Sequence, residues 1–147
     1  VYVMNFMAEA LRQAKIGLKL GEVPVGAVIT RDHKIISEAC NLRETLKDPT
    51  AHAEIIAIRK ASKILKNWRL NDCGMYVTLE PCIMCAGAIL QCRISELYIG
   101  AFDPDAGACG SVINVLQNEL LNHWTSIQWD CKKECSDMLK QFFKNKR

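Results

Sequence analysis

Apolar residues recur along the chain with two different periods, and the switches between them predict its elements. Met4, Met7, Ala8, Leu11, Ala14 and Leu18 stand at offsets of 0, 3, 4, 7, 10 and 14, one face of a helix, and Gly21 supplies a stop. Val23-Pro24-Val25-Gly26-Ala27-Val28-Ile29 predicts a strand, with Pro24 near its start and Gly26 marking the close approach of a ligand or another backbone. The polar Arg31-Asp32-His33-Lys34 predicts a hairpin turn, and the return strand runs from Ile35-Ile36 to near Cys40.

Residues 41–51 are polar and close on Asp48-Pro49-Thr50, a turn rich in helix-capping side chains. A helix follows over about 52–66, burying Ala53, Ile56, Ala57 and Ile64 and placing Arg59, Lys60, Lys63 and Lys66 toward its negative end. Met75-Tyr76-Val77-Thr78-Leu79 predicts a buried central strand leading through Glu80 into Pro81. A helix is expected over about 82–92, with Pro81 in its first turn and Ala86-Gly87-Ala88 allowing close packing. Leu97 to Phe102 predicts another strand, Asp103 to Gly110 a loop, and Ser111 the cap of a short helix carrying Val112, Val115 and Leu116. Residues 124–129 alternate as a strand whose inward face the pattern leaves open. Cys131, Cys135, Met138, Leu139 and Phe142 form the stripe of a last helix. This order predicts a mixed sheet with helices on both faces, its last two strands parallel if a helix separates them. No linker or repeat interrupts it, so a single domain over residues 1–147 is expected.

Composition narrows the setting. The chain is 50% hydrophobic and 24% charged, ordinary for a globular protein. It has no apolar run near the roughly 20 residues of a membrane span. Polar Asn5, Glu9, Arg12 and Gln13 interrupt its start, so no signal segment is read there and a reducing cytoplasmic setting is expected, with no membrane partner. In that setting its 8 cysteines point to metal binding, catalysis or burial rather than to a disulfide framework. Cys40, Cys73, Cys92, Cys109, Cys131 and Cys135 are taken as small buried hydrophobes. Cys131 and Cys135, one turn apart, lack a third ligand. The net charge of +3 hides a basic tail: Lys132, Lys133, Lys140, Lys144, Lys146 and Arg147 against Glu134 and Asp137. Such a tail suits a polyanion, but also a solvated helix end whose cations match the helix dipole.

The chemistry concentrates in His52-Ala53-Glu54 and Pro81-Cys82-Ile83-Met84-Cys85. Two thiolates three residues apart at a helix start share one face and can reach one metal ion. Adding His52 makes three ligands and leaves a tetrahedral zinc ion one open position for water, the pattern of a catalytic site. Helix N-termini favour thiolate over thiol at both cysteines. Glu54, two positions beyond His52, is placed to move protons on that water rather than to bind metal. Taken singly, these groups have other readings: a thiol redox pair, half of a zinc knuckle without its second Cys-x-x-Cys, a structural histidine, a surface carboxylate. Asn41, at the end of a strand, suits a side chain that reads a base edge, although an asparagine there is more often a turn residue. Phe143 lies off the last helix's apolar stripe beside Lys144, as a stacking platform, a partly covered aromatic or a subunit contact would. His33 and His123 receive no role.

The combination of His-x-Glu with Pro-Cys-x-x-Cys resembles the zinc-dependent cytidine-deaminase-like superfamily. Three longer stretches resemble its bacterial tRNA adenosine deaminase branch: Glu22 to Val28, Asp48 to Ile55, and Tyr76 to Ala88. Gly107-Ala108-Cys109-Gly110-Ser111 and the closing helix with Phe142-Phe143 continue the likeness. The resemblance implies a three-layer α/β/α fold with a central five-stranded mixed sheet. It implies one Zn2+ per subunit held by His52, Cys82 and Cys85, with no organic cofactor. Hydrolytic deamination of adenosine to inosine at the wobble position of a tRNA anticodon loop is implied, with zinc-bound hydroxide as nucleophile and Glu54 as proton shuttle. Asn41 is implied to contact the base, while Asp103 and the last helix, with Phe143 and Lys144, hold the anticodon loop across a homodimer. Two positions depart from the pattern: Asp105 stands where many members carry lysine, and Cys40 where relatives often carry an aromatic residue. Deamination of a free nucleobase and a non-catalytic zinc module that binds RNA remain as rival expectations.

Overall fold

A computed structural model describes residues 4–146; Arg147, the end of the basic tail, lies outside them. Asn5 caps the first helix, α1 (Phe6–Lys19), accepting the N–H of Ala8 at 3.1 Å. Gly21, at φ +82°, ends it, and the Glu22 N–H returns to the Gly17 carbonyl at 3.0 Å. The buried face of α1 is rotated from the expected stripe. Ala8 and Leu18 face outward, while Ala10 and Gly17 join Met7, Leu11 and Ala14 inside. Small residues let α1 lie directly on the sheet, where a Cβ on Gly26 would collide with the Ala10 carbonyl and the Ala14 nitrogen. The close approach expected at Gly26 is therefore another backbone.

The hairpin consists of β1 (Gly26–Arg31) and β2 (Lys34–Cys40), joined by Asp32 and His33 at φ 51° and 59°. Two consecutive left-handed residues are what a two-residue hairpin turn requires. The strand starts at Gly26 rather than Val23, because Val25 N–H turns back onto the Val23 carbonyl at 2.9 Å around Pro24. Then come α2 (Ala53–Leu65), β3 (Cys73–Val77), α3 (Ile83–Gln91), β4 (Glu96–Ile99), β5 (Ser126–Trp129) and α4 (Lys133–Asn145). The sheet order is β2-β1-β3-β4-β5, antiparallel on the β2 side of β3 and parallel beyond it. Layers of helix cover both faces, as expected. Ala27, Ile29, Met75, Val77, Leu97 and Ile99 point into one core with Ala57 and Ile89, while Val28 points into another with Met7, Leu11 and Cys135. The period-2 alternation of the strands thus separates the two cores.

Three expectations fail locally. α2 packs through Ala53, Ala57 and Ala61, with Ile56 half-buried and Ile64 exposed, because alanines let the helix approach the sheet more closely than isoleucines would. Pro81 precedes the N-cap of α3, which is Cys82, instead of occupying its first turn. No helix forms at Ser111. Its N–H and hydroxyl are drawn to the Glu80 carboxylate, and residues 100–125 cross between the parallel β4 and β5 as turns that bury Ala108 and Leu116. Among the described residues, no helix is long and apolar enough to cross a membrane.

Candidate metal centre and substrate pocket

β2 and β3 end on either side of the start of β1, since Cys40 pairs with Gly26 and Val77 with the neighbouring Ala27. The helices that follow them, α2 and α3, therefore begin at one edge of the sheet, where α/β folds form their crevices. Asp48-Pro49-Thr50 makes the expected turn into α2: the Thr50 N–H and hydroxyl donate to Asp48 Oδ1 at 2.8 and 2.7 Å. His52 is the extended N-cap of α2 and Cys82 that of α3, each with φ near −75°. Neither makes a side-chain cap bond, which leaves both side chains free to converge.

His52 Nδ1 lies 3.6 Å from Cys82 Sγ and 3.4 Å from Cys85 Sγ. With Zn–S near about 2.3 Å and Zn–N near about 2.0–2.1 Å, two ligands at a tetrahedral angle stand roughly 3.5 Å apart. Both nitrogen–sulfur spacings already match two edges of a zinc tetrahedron, and one nitrogen with two sulfurs suits zinc. Among the described residues this is the one cluster of three such donors. The bond from Cys85, against the cost of burial and with help from His52, brings the Cys82 thiol down to about 3. Cys85 moves the other way, first because it donates to Cys82 and then because it is buried. His52 is raised chiefly by its bond to Cys82. One thiolate is thus ready for a cation, and the second proton leaves when metal binds.

Glu54, 4% exposed in the first turn of α2, lines the pocket beside these donors without belonging to the cluster. Burial pushes its carboxyl up to about 7, a shift that a nearby divalent ion would oppose. The pocket holds about 350 Å³ and is also lined by Asn41, Asp103 and Phe143. Asn41 is buried; its amide donates to the Val23 carbonyl at 3.4 Å, and its Oδ1 accepts the Arg43 N–H at 3.3 Å, so it also makes the turn. The pocket shares Asp103 and Phe143 with an adjoining groove of about 680 Å³ that passes Lys140 and Lys144. Phe143 is 53% exposed and meets Phe142 edge-on, its outer surface free at the junction. Seven of the eight residues singled out in the sequence therefore line this pocket or the adjoining groove, and Cys85 is buried behind them beside His52 and Cys82.

Other expectations resolve differently. Asp105 lines the groove, so the departure from lysine places an acid along its wall. Cys40 is buried, with Gly17 of α1 closing the space behind it. Five of the six remaining cysteines are buried as expected, but Cys131 is exposed because α4 begins beyond it. His123 meets the Ile94 carbonyl at 2.9 Å, a structural contact. Sequence reasoning missed Glu22 and Glu80, which are buried at the pocket and bind loop backbone. A carboxylate at each end of an apolar run was the available signal.

Residues 3–101 match the family described as the cytidine and deoxycytidylate deaminase zinc-binding region. The chain is 45% identical over 143 residues to the tRNA-specific adenosine deaminase of Bacillus subtilis, covering 97% of this chain and 89% of the relative. A solved structure from studies of A-to-I editing by tRNA:A34 deaminases superposes with a TM-score of 0.87 at 40% identity, covering 91% of this chain and 98% of that one. The guanine deaminase of Bacillus subtilis superposes at 0.66 with 33% identity, covering 96% and 95%.

Proposed function

The chain belongs to the cytidine and deoxycytidylate deaminase zinc-binding family, and from that premise we propose that it hydrolyses adenosine to inosine at the wobble position of a tRNA anticodon loop. The observation that carries the reading is the pocket at His52, Glu54 and Cys82, which shares its Asp103 and Phe143 wall with an adjoining groove past Lys144. A pocket for one base joined to a groove for its neighbours suits a single-stranded nucleic acid, from which one base is extruded. The likeness to tRNA-specific deaminases over 97% of the chain supports the choice of RNA.

His52, Cys82 and Cys85 would hold the zinc ion. Bound there, it supplies a water ligand whose pKa falls from about 15.7 to about 7. Glu54 accepts a proton from the water side and delivers it to the departing amine, so that water and adenine become hypoxanthine and ammonia. Asn41 offers its amide to the base edge, Phe143 stacks on a neighbouring base, and Lys144 meets phosphate. Asp103 shapes the pocket wall, its Oδ1 accepting the N–H groups of Asp105 and Ala106 at 3.1 and 3.2 Å. The reading extends to one domain over residues 1–147 and a cytoplasmic homodimer with tRNA touching both subunits. Light scattering that finds single chains at working concentration would remove the dimer.

The direct test offers an anticodon stem-loop with adenosine at the wobble position, alongside free adenine, guanine and cytosine, and follows ammonia and inosine. Inosine from the stem-loop is expected. The likeness to a guanine deaminase gives the second reading its specific support. Ammonia from a free base with none from the stem-loop would establish that reading instead.

Asp105 provides a second measurement. Asp105→Lys should lower KM for the stem-loop roughly three- to tenfold at low salt, because a phosphate contact replaces a repulsion. The gain should shrink as salt rises, with zinc content unchanged. An unaltered KM at low salt would place the RNA away from this wall of the groove.

A further inference from the structure

Two buried carboxylates border the pocket without belonging to the metal cluster. Glu80, 2% exposed, immediately precedes Pro81-Cys82. Its Oε1 accepts the Asp103 N–H at 3.1 Å and its Oε2 accepts those of Cys109 and Ser111 at 3.0 and 3.1 Å; the Ser111 hydroxyl donates to Oε1 as well. Glu80's own N–H donates to the Ala101 carbonyl at 2.8 Å, and the Ala108 N–H donates to the Pro81 carbonyl at 2.9 Å. Gly107 lies so close that a Cβ there would collide with the carboxyl group. One side chain thus gathers donors from both ends of the 103–111 loop.

Glu22, 1% exposed, does the same for the opposite wall. Its Oε1 accepts the Glu44 N–H at 3.1 Å, and its Oε2 accepts the Thr45 N–H and hydroxyl at 2.6 Å each. Burial pushes its carboxyl up, but the bonds from Thr45 and Glu44 outweigh that and hold it below the usual range. The loops so tied supply Arg43 and Glu44 on one side of the pocket and Asp103 and Ala106 on the other.

We infer that Glu80 and Glu22 are positioning residues that clamp the two loops walling the pocket, and that through those loops they govern binding of the nucleic-acid substrate rather than the chemistry at the metal. The inference rests on the proposed RNA substrate for its effect on KM, though not for the clamp itself. A carboxylate can accept every bond aimed at it, whereas an amide turns two N–H groups toward other donors. Each loop is held in place before substrate arrives, so little ordering remains to be done on binding. Without the clamp, the binding step bears that ordering, while His52, Glu54, Cys82 and Cys85 keep their arrangement.

The test uses zinc-loaded protein carrying Glu80→Gln or Glu22→Gln, with three readouts. Amide hydrogen exchange should accelerate at 103, 109 and 111 in the first variant, and at 44 and 45 in the second, before any substrate is added. KM for the stem-loop should rise about tenfold, kcat should stay within about threefold, and zinc should remain at about one per chain. Gly107→Ala, which disturbs the Glu80 clamp with the carboxylate intact, should raise KM in the same way. Ser111→Ala, which removes only the hydroxyl donor, should raise it less, and it decides the matter if Glu80→Gln does not fold. Unchanged exchange in Glu80→Gln, or in Ser111→Ala where the first does not fold, would overturn the clamp. Loss of zinc or of kcat at unchanged KM would overturn its link to binding. Failure of the unaltered protein to deaminate the stem-loop would count against the functional reading alone, because the exchange measurement needs no substrate.

Discussion

Glu54→Ala is expected to keep its zinc and lose deamination, by roughly 100- to 10,000-fold in kcat, the range that positioned proton transfer supplies. The separation follows from geometry. Glu54 stands at the start of α2, buried and facing the pocket, while the three donors within 4.8 Å of one another are His52, Cys82 and Cys85. Removing the carboxylate therefore deletes a proton carrier and no ligand. It also relieves a buried acid of its desolvation cost, so the variant should be at least as stable to heat as the parent. Metal analysis and single-turnover deamination of the same preparation check both halves. Near-normal turnover would remove Glu54 from the mechanism. Turnover lost together with the zinc would make it a structural support of the site.

Cys82→Ala should fail differently, losing zinc and activity together. Cys82 is the donor that holds the thiolate most readily, brought down to about 3 by the bond from Cys85 and by His52. It is also the N-cap of α3, and its side chain makes no cap bond that would draw the sulfur away from the metal. Two remaining donors cannot hold zinc as a three-ligand site does, and without the ion the water loses the roughly nine-unit fall in pKa that makes it reactive at neutral pH. Zinc content should drop to a small fraction of one per chain and kcat by more than about a thousandfold. Stripping the parent protein with a chelator should reproduce the loss, and added zinc should restore it. Full zinc occupancy in Cys82→Ala would place the metal elsewhere. The two variants together separate ligand from proton carrier, and a non-catalytic RNA-binding module would be indifferent to the first of them.

The metal centre was legible because its chemistry is local. Cys82 and Cys85 share a helical turn, and His52 and Glu54 flank the start of another helix, so residue type and short spacing almost specify the group. The hairpin and the strands were legible for a similar reason, since short apolar runs bounded by turn residues mark strands covered on both faces. Where tertiary packing chose between near-equal local options, the pattern misled. Ile64 was expected inside and is exposed, because the sheet accepts the alanine face of α2 and excludes the bulkier one. Ser111 looked like a helix cap and instead serves a carboxylate thirty-one positions earlier in the chain. Glu22 and Glu80 passed unnoticed, since each one's partners lie more than twenty positions away.

The sequence by itself pointed to the donor set, the candidate proton carrier and the mixed α/β character, all of which depend on residue identity and on periods of two to four. Only the tertiary structure decided that Asn41, Asp103 and Phe143 line the same pocket as His52 and Cys82, with Lys144 in the adjoining groove. Only it revealed that Asp105 lines the groove and that two buried carboxylates hold the walls. The reason is physical: a ligand set is fixed by chemistry within a turn or two, whereas a pocket is the space left where distant segments meet. Its shape depends on which helix face the sheet accepts and which loop finds a buried acceptor. Neither choice is written in local spacing.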